Sequence, residues 1–278
     1  MKSLLLVLAV VLGQSVLAAD KKPLITNPIV EKEIRRWAEK PTGELTEADL
    51  EKVTRLYLRG PKITDADLKE VAKLQNLKHL ILDDTNITDA GLKEVGKLQK
   101  LEALSLARTK ITDVGLKEVA KLQQLKTLWL NDTKITDAGL IEVAKLQQLK
   151  ELNLARTKIT DVGLKEVAKL KQLTRLYLTG TTITDASLKD IAKLKQLTRL
   201  NLARTKITDV GLKEVAKLKK LKSLYLTDTQ VTDAGLKEVA KLQELLGLNL
   251  SSTQITKAGV AELQKALPKC RIVSNATQ

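Results

Sequence analysis

Four of the five aromatic side chains, Tyr57, Trp129, Tyr177 and Tyr225, stand at positions separated by multiples of 24 residues. Asn153, Asn201 and Asn249 fall in the same phase, so ring and amide alternate from Trp129 onward. Rings offer a face to stack on and amides offer hydrogen bonds, which is the chemistry of holding an extended peptide or a polysaccharide. Bond-breaking chemistry has little to work with. One histidine, His79, and one cysteine, Cys270, exclude a disulfide framework and most zinc or iron-sulfur sites, and leave little for acid/base work near neutral pH. Phosphate-binding glycine loops, H-E-x-x-H and G-x-S-x-G are all missing. Thr-Asp pairs do occur, but they recur along most of the chain. An active site is built once, so the repeated pair reads as a capping device. The expectation is a non-enzymatic binding protein with no cofactor and no metal.

The elements that must position these side chains follow from the period. Ile-Thr-Asp or a close variant begins at Ile63, Ile87, Ile111, Ile135, Ile159, Ile183, Ile207, Val231 and Ile255, always 24 residues apart. Ahead of each runs L-x-x-L-x-L-x-x-T-x-I, as in Leu77, Leu80, Leu82, Thr85 and Ile87. The alternation of Leu80 and Leu82 predicts a short strand. Leu92, Val95 and Leu98 recur at helical spacing and leave Lys93, Glu94 and Lys97 for solvent. Thr88 or Asp89 can cap that helix by accepting an unpaired N–H. One unit cannot bury its own leucines, whereas stacked units share a continuous aliphatic core. Strands then form a parallel sheet joined by right-handed crossovers. Helices need about 10 Å of lateral room and strands about 4.8 Å, so the stack bends with the sheet inside.

These motifs resemble the leucine-rich repeat family, over Val53 to about Leu267. The resemblance implies an α/β right-handed solenoid, or horseshoe, with the sheet on the concave face, short helices on the convex face, and a binding function without a specified ligand. Thr85 and its equivalents at each 24-residue step to Thr253 replace the family's usual Asn or Cys. A threonine hydroxyl ladder is expected in place of the amide ladder. Asn27-Pro28 can start a helix through Ile34 and Trp37, and the segment from Lys40 to Leu50 resembles the helical cap of internalin-like bacterial proteins. The expected division is a signal peptide at 1–19, an N-terminal helical cap at 20–52, nine repeats at 53–268, and a C-terminal cap strand and tail at 269–278. The signal reads from Lys2, the apolar run Leu4 to Leu12, and small residues ending at Ala19. The protein is expected to be exported, periplasmic or extracellular.

The formal charge of +15 comes from 48 basic and 33 acidic residues. Laid out in columns, the expected inner face carries Arg55, Arg59, Arg108, Arg156, Arg175, Arg199 and Arg204 against Asp83, Asp84, Asp132, Glu151 and Asp228. Most of the positive charge therefore belongs to the helical exterior, and a nucleic-acid groove is not supported. Asp84, Arg108, Asp132 and Arg156 alternate in sign and are expected to pair laterally. The proposed ligand-binding residues are Tyr57, Trp129, Asn153, Tyr177, Asn201, Tyr225 and Asn249, with a protein, peptide or polysaccharide partner and a monomeric chain. Cell-envelope adhesion through the basic convex surface is the alternative. Leu106 to Leu122 recurs unchanged at Leu154 to Leu170 and Leu202 to Leu218. Copying of a two-coil unit is thus a second origin for the ring spacing.

Overall fold

The computed structural model describes residues 23–276; the expected signal peptide at 1–19 lies outside them. The chain begins with helix α1, Pro28–Trp37, whose N-cap Asn27 accepts from the amides of Ile29 and Val30. Helix α2, Glu47–Glu51, opens with a capping box: Thr46 accepts from the Asp49 amide, and the Asp49 carboxylate accepts from that of Thr46.

Among the described residues ten strands of three residues follow: β1 Arg55–Tyr57, β2 His79–Ile81, β3 Ala103–Ser105, β4 Thr127–Trp129, β5 Glu151–Asn153, β6 Arg175–Tyr177, β7 Arg199–Asn201, β8 Ser223–Tyr225, β9 Gly247–Asn249 and β10 Arg271–Val273. They form one parallel sheet in sequence order. Each residue pairs with the one 24 positions on, as Leu152 does with Leu176. Between strands the chain returns through a short helix, for example Asp137–Val143. The fold is a right-handed solenoid with the sheet on the concave side and the helices on the convex side.

The middle residue of strands β1 to β9 is a leucine pointing into the core, joined there by the helix Leu and Val and by the Ile of each triplet. Full burial of each such side chain contributes roughly 1.5–3 kcal/mol. No ring enters this aliphatic interior along the repeats. Trp37 packs against its N-terminal end, and Cys270 is buried at the other.

Polar links between coils are just as regular. The Asp89 carboxylate accepts from the Thr112 amide at 2.8 Å and from its hydroxyl at 2.6 Å, in the following coil. The same pair of hydrogen bonds joins Asp65 to Thr88, Asp113 to Thr136, Asp137 to Thr160, Asp161 to Thr184, Asp185 to Thr208, Asp209 to Thr232 and Asp233 to Thr256. Most of these threonines also cap their own helices, as Thr136 Oγ1 does by accepting from Ala138 N at 3.3 Å. Threonine is therefore the cap, and aspartate is the link between coils. The glycine two residues after the aspartate makes room: a Cβ on Gly139 would lie 2.4 Å from Asp113 Oδ1.

The expected hydroxyl ladder at Thr85 to Thr253 is corrected here. Each hydroxyl donates within its own coil, to the carbonyl three residues back, as Thr133 does to Leu130 at 2.6 Å. Thr85, Thr109, Thr157, Thr181, Thr205, Thr229 and Thr253 do the same. A hydroxyl has one proton, and here it is given to a carbonyl of the same coil, which leaves none to donate to the next, whereas an amide can donate twice.

Candidate binding surface on the sheet

Because side chains alternate across a strand, the residues on either side of each core leucine face the concave side. Tyr57, Trp129, Tyr177 and Tyr225 all sit there, each at the last position of its strand. Only Tyr57, at 36% exposure, is an exposed ring; the other three are half-buried by neighbouring strands. Tyr57 also has a ring partner. Trp37 of α1 meets it edge-to-face, with centroids 5.3 Å apart and planes at 80°. The one ring outside the column in sequence thus rejoins it in space, and Tyr57 belongs to the junction with α1.

Trp129 and Tyr177 take part in a polar network. Trp129 Nε1 donates to Glu151 Oε1 at 3.1 Å, and Arg175 Nη1 donates to Glu151 Oε2 at 2.9 Å. The Tyr177 hydroxyl beside Arg199 pushes the guanidinium pKa above its ordinary value. Asn153, Asn201 and Asn249 commit their side-chain carbonyls to the backbone: each accepts at 3.0 Å from the amide two residues on, at Ala155, Ala203 and Ser251. Such local bonds hold the chain as it leaves the strand. Asn153 Nδ2 goes on to Asn131 Oδ1 at 3.2 Å. The amide protons of Asn201 and Asn249 have no partner among the described residues, so these two residues present donors.

Asp83, read as part of the inner face, is closed off together with Ser105. Asp83 is only 5% exposed and Ser105 1%. The Ser105 hydroxyl donates to Asp83 Oδ1, and Arg59 stands 3.7 Å from the other oxygen. The strand has turned by this point, which directs the Asp83 column inward.

Next to it runs the column whose alternating charges were expected to pair laterally; its backbone conformation was not marked by the sequence. Asp84, Arg108, Asp132, Arg156, Gly180, Arg204, Asp228 and Ser252 all have positive φ, between 53° and 68°. Glycine is the usual signal for that conformation and occupies only one of these eight positions. The column carries the lateral ion pairs. Arg108 donates to Asp84 at 2.5 and 2.8 Å, and Arg156 to Asp132 at 2.5 and 2.7 Å. These guanidiniums hold the carboxyls of Asp84 and Asp132 below the ordinary carboxylate range. Arg204 lacks this geometry, since position 180 is glycine, and stands 3.9 Å from Asp228. His79 lies at the other end of the sheet, its pKa lowered by burial and then by Arg55.

Charge on the sheet side is uneven. Through β5, Arg55, Arg59, Arg108 and Arg156 balance Asp83, Asp84, Asp132 and Glu151. From β6 onward, Arg175, Arg199 and Arg204, joined by Arg271 of β10, face only Asp228. Arg175 and Arg199 are direct register partners.

The convex surface is neutralised in part. Lys97, Lys121, Lys145, Lys169, Lys193, Lys217 and Lys241 each pair with the acid three residues earlier. Lys93, Lys117, Lys165, Lys189, Lys213 and Lys237 are exposed on the same helices and make no ion pair among the described residues. No group of three or more His, Cys, Asp or Glu among the described residues could hold a metal ion.

Sequence profiles agree with this architecture. A family described as leucine-rich repeat region matches residues 49–188, and one described as leucine rich repeat matches residues 171–231. The chain belongs to the leucine-rich repeat family. Among solved structures, an internalin (inlF) from Listeria monocytogenes is similar with a TM-score of 0.68 at 24% identity, covering 94% of this chain and 81% of its own. Internalin C2 (inlC2) from the same organism has a TM-score of 0.55 at 25% identity, covering 91% and 95%. A TDR receptor has a TM-score of 0.55 at 16% identity over 83% of this chain and 44% of its own. No curated protein matches the chain closely enough to count as a relative. The fold is thus that of the internalins, within a family whose repeats form protein-binding modules. No helix among the described residues is long and apolar enough to cross a membrane.

Proposed function

We propose that this protein is an exported, non-enzymatic binding module that engages a protein or peptide on its concave sheet, centred on Trp129, Tyr177 and Tyr225 with Asn153, Asn201 and Asn249. The observation that carries this reading is the alignment of the three half-buried rings along one strand-end column. They flank amides and arginines that offer hydrogen-bond donors on the same face. Binding on this face needs no catalytic group and no cofactor, and a single chain is enough to form it. Export rests on the composition of residues 1–19, and the described part of the expected cap, residues 23–52, closes the N-terminal end of the core.

The test is replacement of Trp129, Tyr177 and Tyr225 by Ala, followed by retention on cell-envelope extract. Loss of retention with unchanged circular dichroism supports the sheet as the binding face. Unchanged retention removes it. Inclusion of cell-wall polysaccharide as a competitor separates a glycan ligand from a protein one.

The unpaired helix lysines favour a second reading, adhesion of the convex surface to an anionic cell envelope. Retention of that kind collapses as salt screens the charges and ignores the ring substitutions.

A further inference from the structure

Gly180 interrupts the charge column that alternates from Asp84 to Asp228. In the two complete rungs, an aspartate in the left-handed turn position is gripped by the arginine 24 residues on: Asp84 by Arg108 and Asp132 by Arg156. Position 180 is the next aspartate site in that alternation, and it carries no side chain. Arg156 stands on one side of the gap, already paired with Asp132. Arg204 stands on the other, its nearest carboxylate 3.9 Å away on Asp228 and both side chains well exposed. The coil that holds the gap and the coil after it also hold the like-charged register pair Arg175 and Arg199. Like charges directly opposite one another are unfavourable unless something neutralises them. Glu151 neutralises Arg175; Arg199 has no carboxylate partner among the described residues, only the Tyr177 hydroxyl. The available amide protons of Asn201 and Asn249 add donors on the same half of the sheet.

We propose that the concave sheet takes an acidic peptide segment of its protein partner, and that a carboxylate of that segment occupies the notch at Gly180, where it accepts from Arg204. The proposal rests on the concave-face reading above and names the chemistry of its ligand. Charge complementarity points to this occupant. The excess of guanidinium over carboxylate on the sheet lies from β6 onward, and a planar guanidinium with a vacant side is suited to bidentate carboxylate capture. Tyr177 and Tyr225 flank the strand that leads to Arg204 and supply apolar area for the rest of the segment.

Gly180→Asp supplies the missing carboxylate from the protein itself. The left-handed backbone tolerates it, because Asp84, Asp132 and Asp228 adopt the same conformation. An added Cβ would meet only the flexible Arg156 side chain, at 3.2 Å. The probe is a fluorescein-labelled peptide of alternating Glu and Gly, compared with its Gln-Gly analogue and with polygalacturonate. The native protein should bind the Glu peptide at least about tenfold more tightly than the Gln peptide. Gly180→Asp and Arg204→Gln should each weaken it by a similar factor, while Gly180→Asn, alike in shape but neutral, keeps most of the affinity. Lys213→Gln with Lys237→Gln on the helical face should leave it unchanged.

Equal binding of the Glu and Gln peptides overturns the proposal. So does equal loss in the Asp and Asn variants, an equal loss from the helix lysines, or capture of polygalacturonate without the peptide. Envelope retention separates the two levels of inference. If Gly180→Asp is retained like the native protein and the ring variant is not, the acidic ligand is wrong and the concave face stands; if the ring variant is retained as well, the concave face falls.

Discussion

Asp137 and Thr160 lie 23 residues apart in sequence and are joined by two hydrogen bonds, carboxylate to amide at 2.8 Å and carboxylate to hydroxyl at 2.5 Å. One coil is thereby fixed to the start of the next helix. Asp137→Ala leaves the Thr160 amide and hydroxyl without that acceptor, and the expected loss is about 1–3 kcal/mol in urea unfolding. Nearest-neighbour coupling carries the stability of a stacked-repeat protein, so the broken rung should also lower cooperativity and broaden the transition. A variant with native stability and slope would show that this pair of hydrogen bonds is not what couples the coils.

Thr133→Val tests a bond that stays within one coil. The buried hydroxyl donates to the Leu130 carbonyl at 2.6 Å, and replacement by a methyl of similar size removes only that bond. A loss of about 1 kcal/mol is expected, with no change in the sharpness of unfolding. A loss as large and as broadening as that of Asp137→Ala would restore the hydroxyl column as a link between coils.

Gly139→Ala should destabilise, although alanine exceeds glycine in helix propensity by up to about 1 kcal/mol. The added methyl would stand 2.4 Å from Asp113 Oδ1 and 2.8 Å from Leu116 Cδ1, so the coils must separate or the Asp113 link to Thr136 must shift. Overpacking of this kind costs roughly 1–3 kcal/mol. Ser187 shows how a coil adapts to a side chain here: its helix opens with a 3-10 turn, Asp185–Ser187, and the hydroxyl donates to Thr184 O at 2.9 Å. A stabilised Gly139→Ala would show that helix propensity outweighs the contact.

Asp49 gives the fold an acid-sensitive point. Lys40 at 2.7 Å, then the Thr46 hydroxyl and amide, hold its carboxyl well below the usual carboxylate range. A depressed folded-state pKa contributes stability that is complete above the unfolded value, near about pH 4. That stability is lost as the pH falls toward the folded value. Asp49→Asn should therefore be less stable than the native protein at neutral pH, and its thermal midpoint should fall less steeply below pH 4. Parallel pH profiles for the two proteins would contradict the assignment.

The architecture was legible because the 24-residue step is the register of the sheet itself: Leu80, Leu104 and Leu128 are in-phase letters and also adjacent core residues. The partnership of Asp89 with Thr112 was not legible. Both residues carry the marks of a helix cap, and only the stacking distance shows that the aspartate reaches the next coil. The left-handed turn was hidden for a different reason. It is occupied mostly by Asp and Arg, while Gly180, the one glycine between Asp84 and Ser252, looks like an ordinary substitution until its neighbours are in place. Among the site residues, periodicity put the four rings in one column but could not show that α1 brings Trp37 against the first of them.

That contact separates Tyr57 from the other rings in its column. Edge-to-face aromatic pairs contribute about 0.5–1.5 kcal/mol beyond the area they bury. The Trp37–Tyr57 pair also joins α1 to the first strand, at the end of the stack where the core would otherwise be open. A double-mutant cycle of Trp37→Leu and Tyr57→Leu should give a coupling energy in that range, and Tyr57→Leu alone should lower the melting temperature while leaving partner retention intact. Tyr177→Leu and Tyr225→Leu should behave in the opposite way, with small thermal shifts and weakened retention, because their rings meet no other ring among the described residues. If Tyr57→Leu abolishes retention at an unchanged melting temperature, the binding face extends to the first coil and the ring pair is part of it.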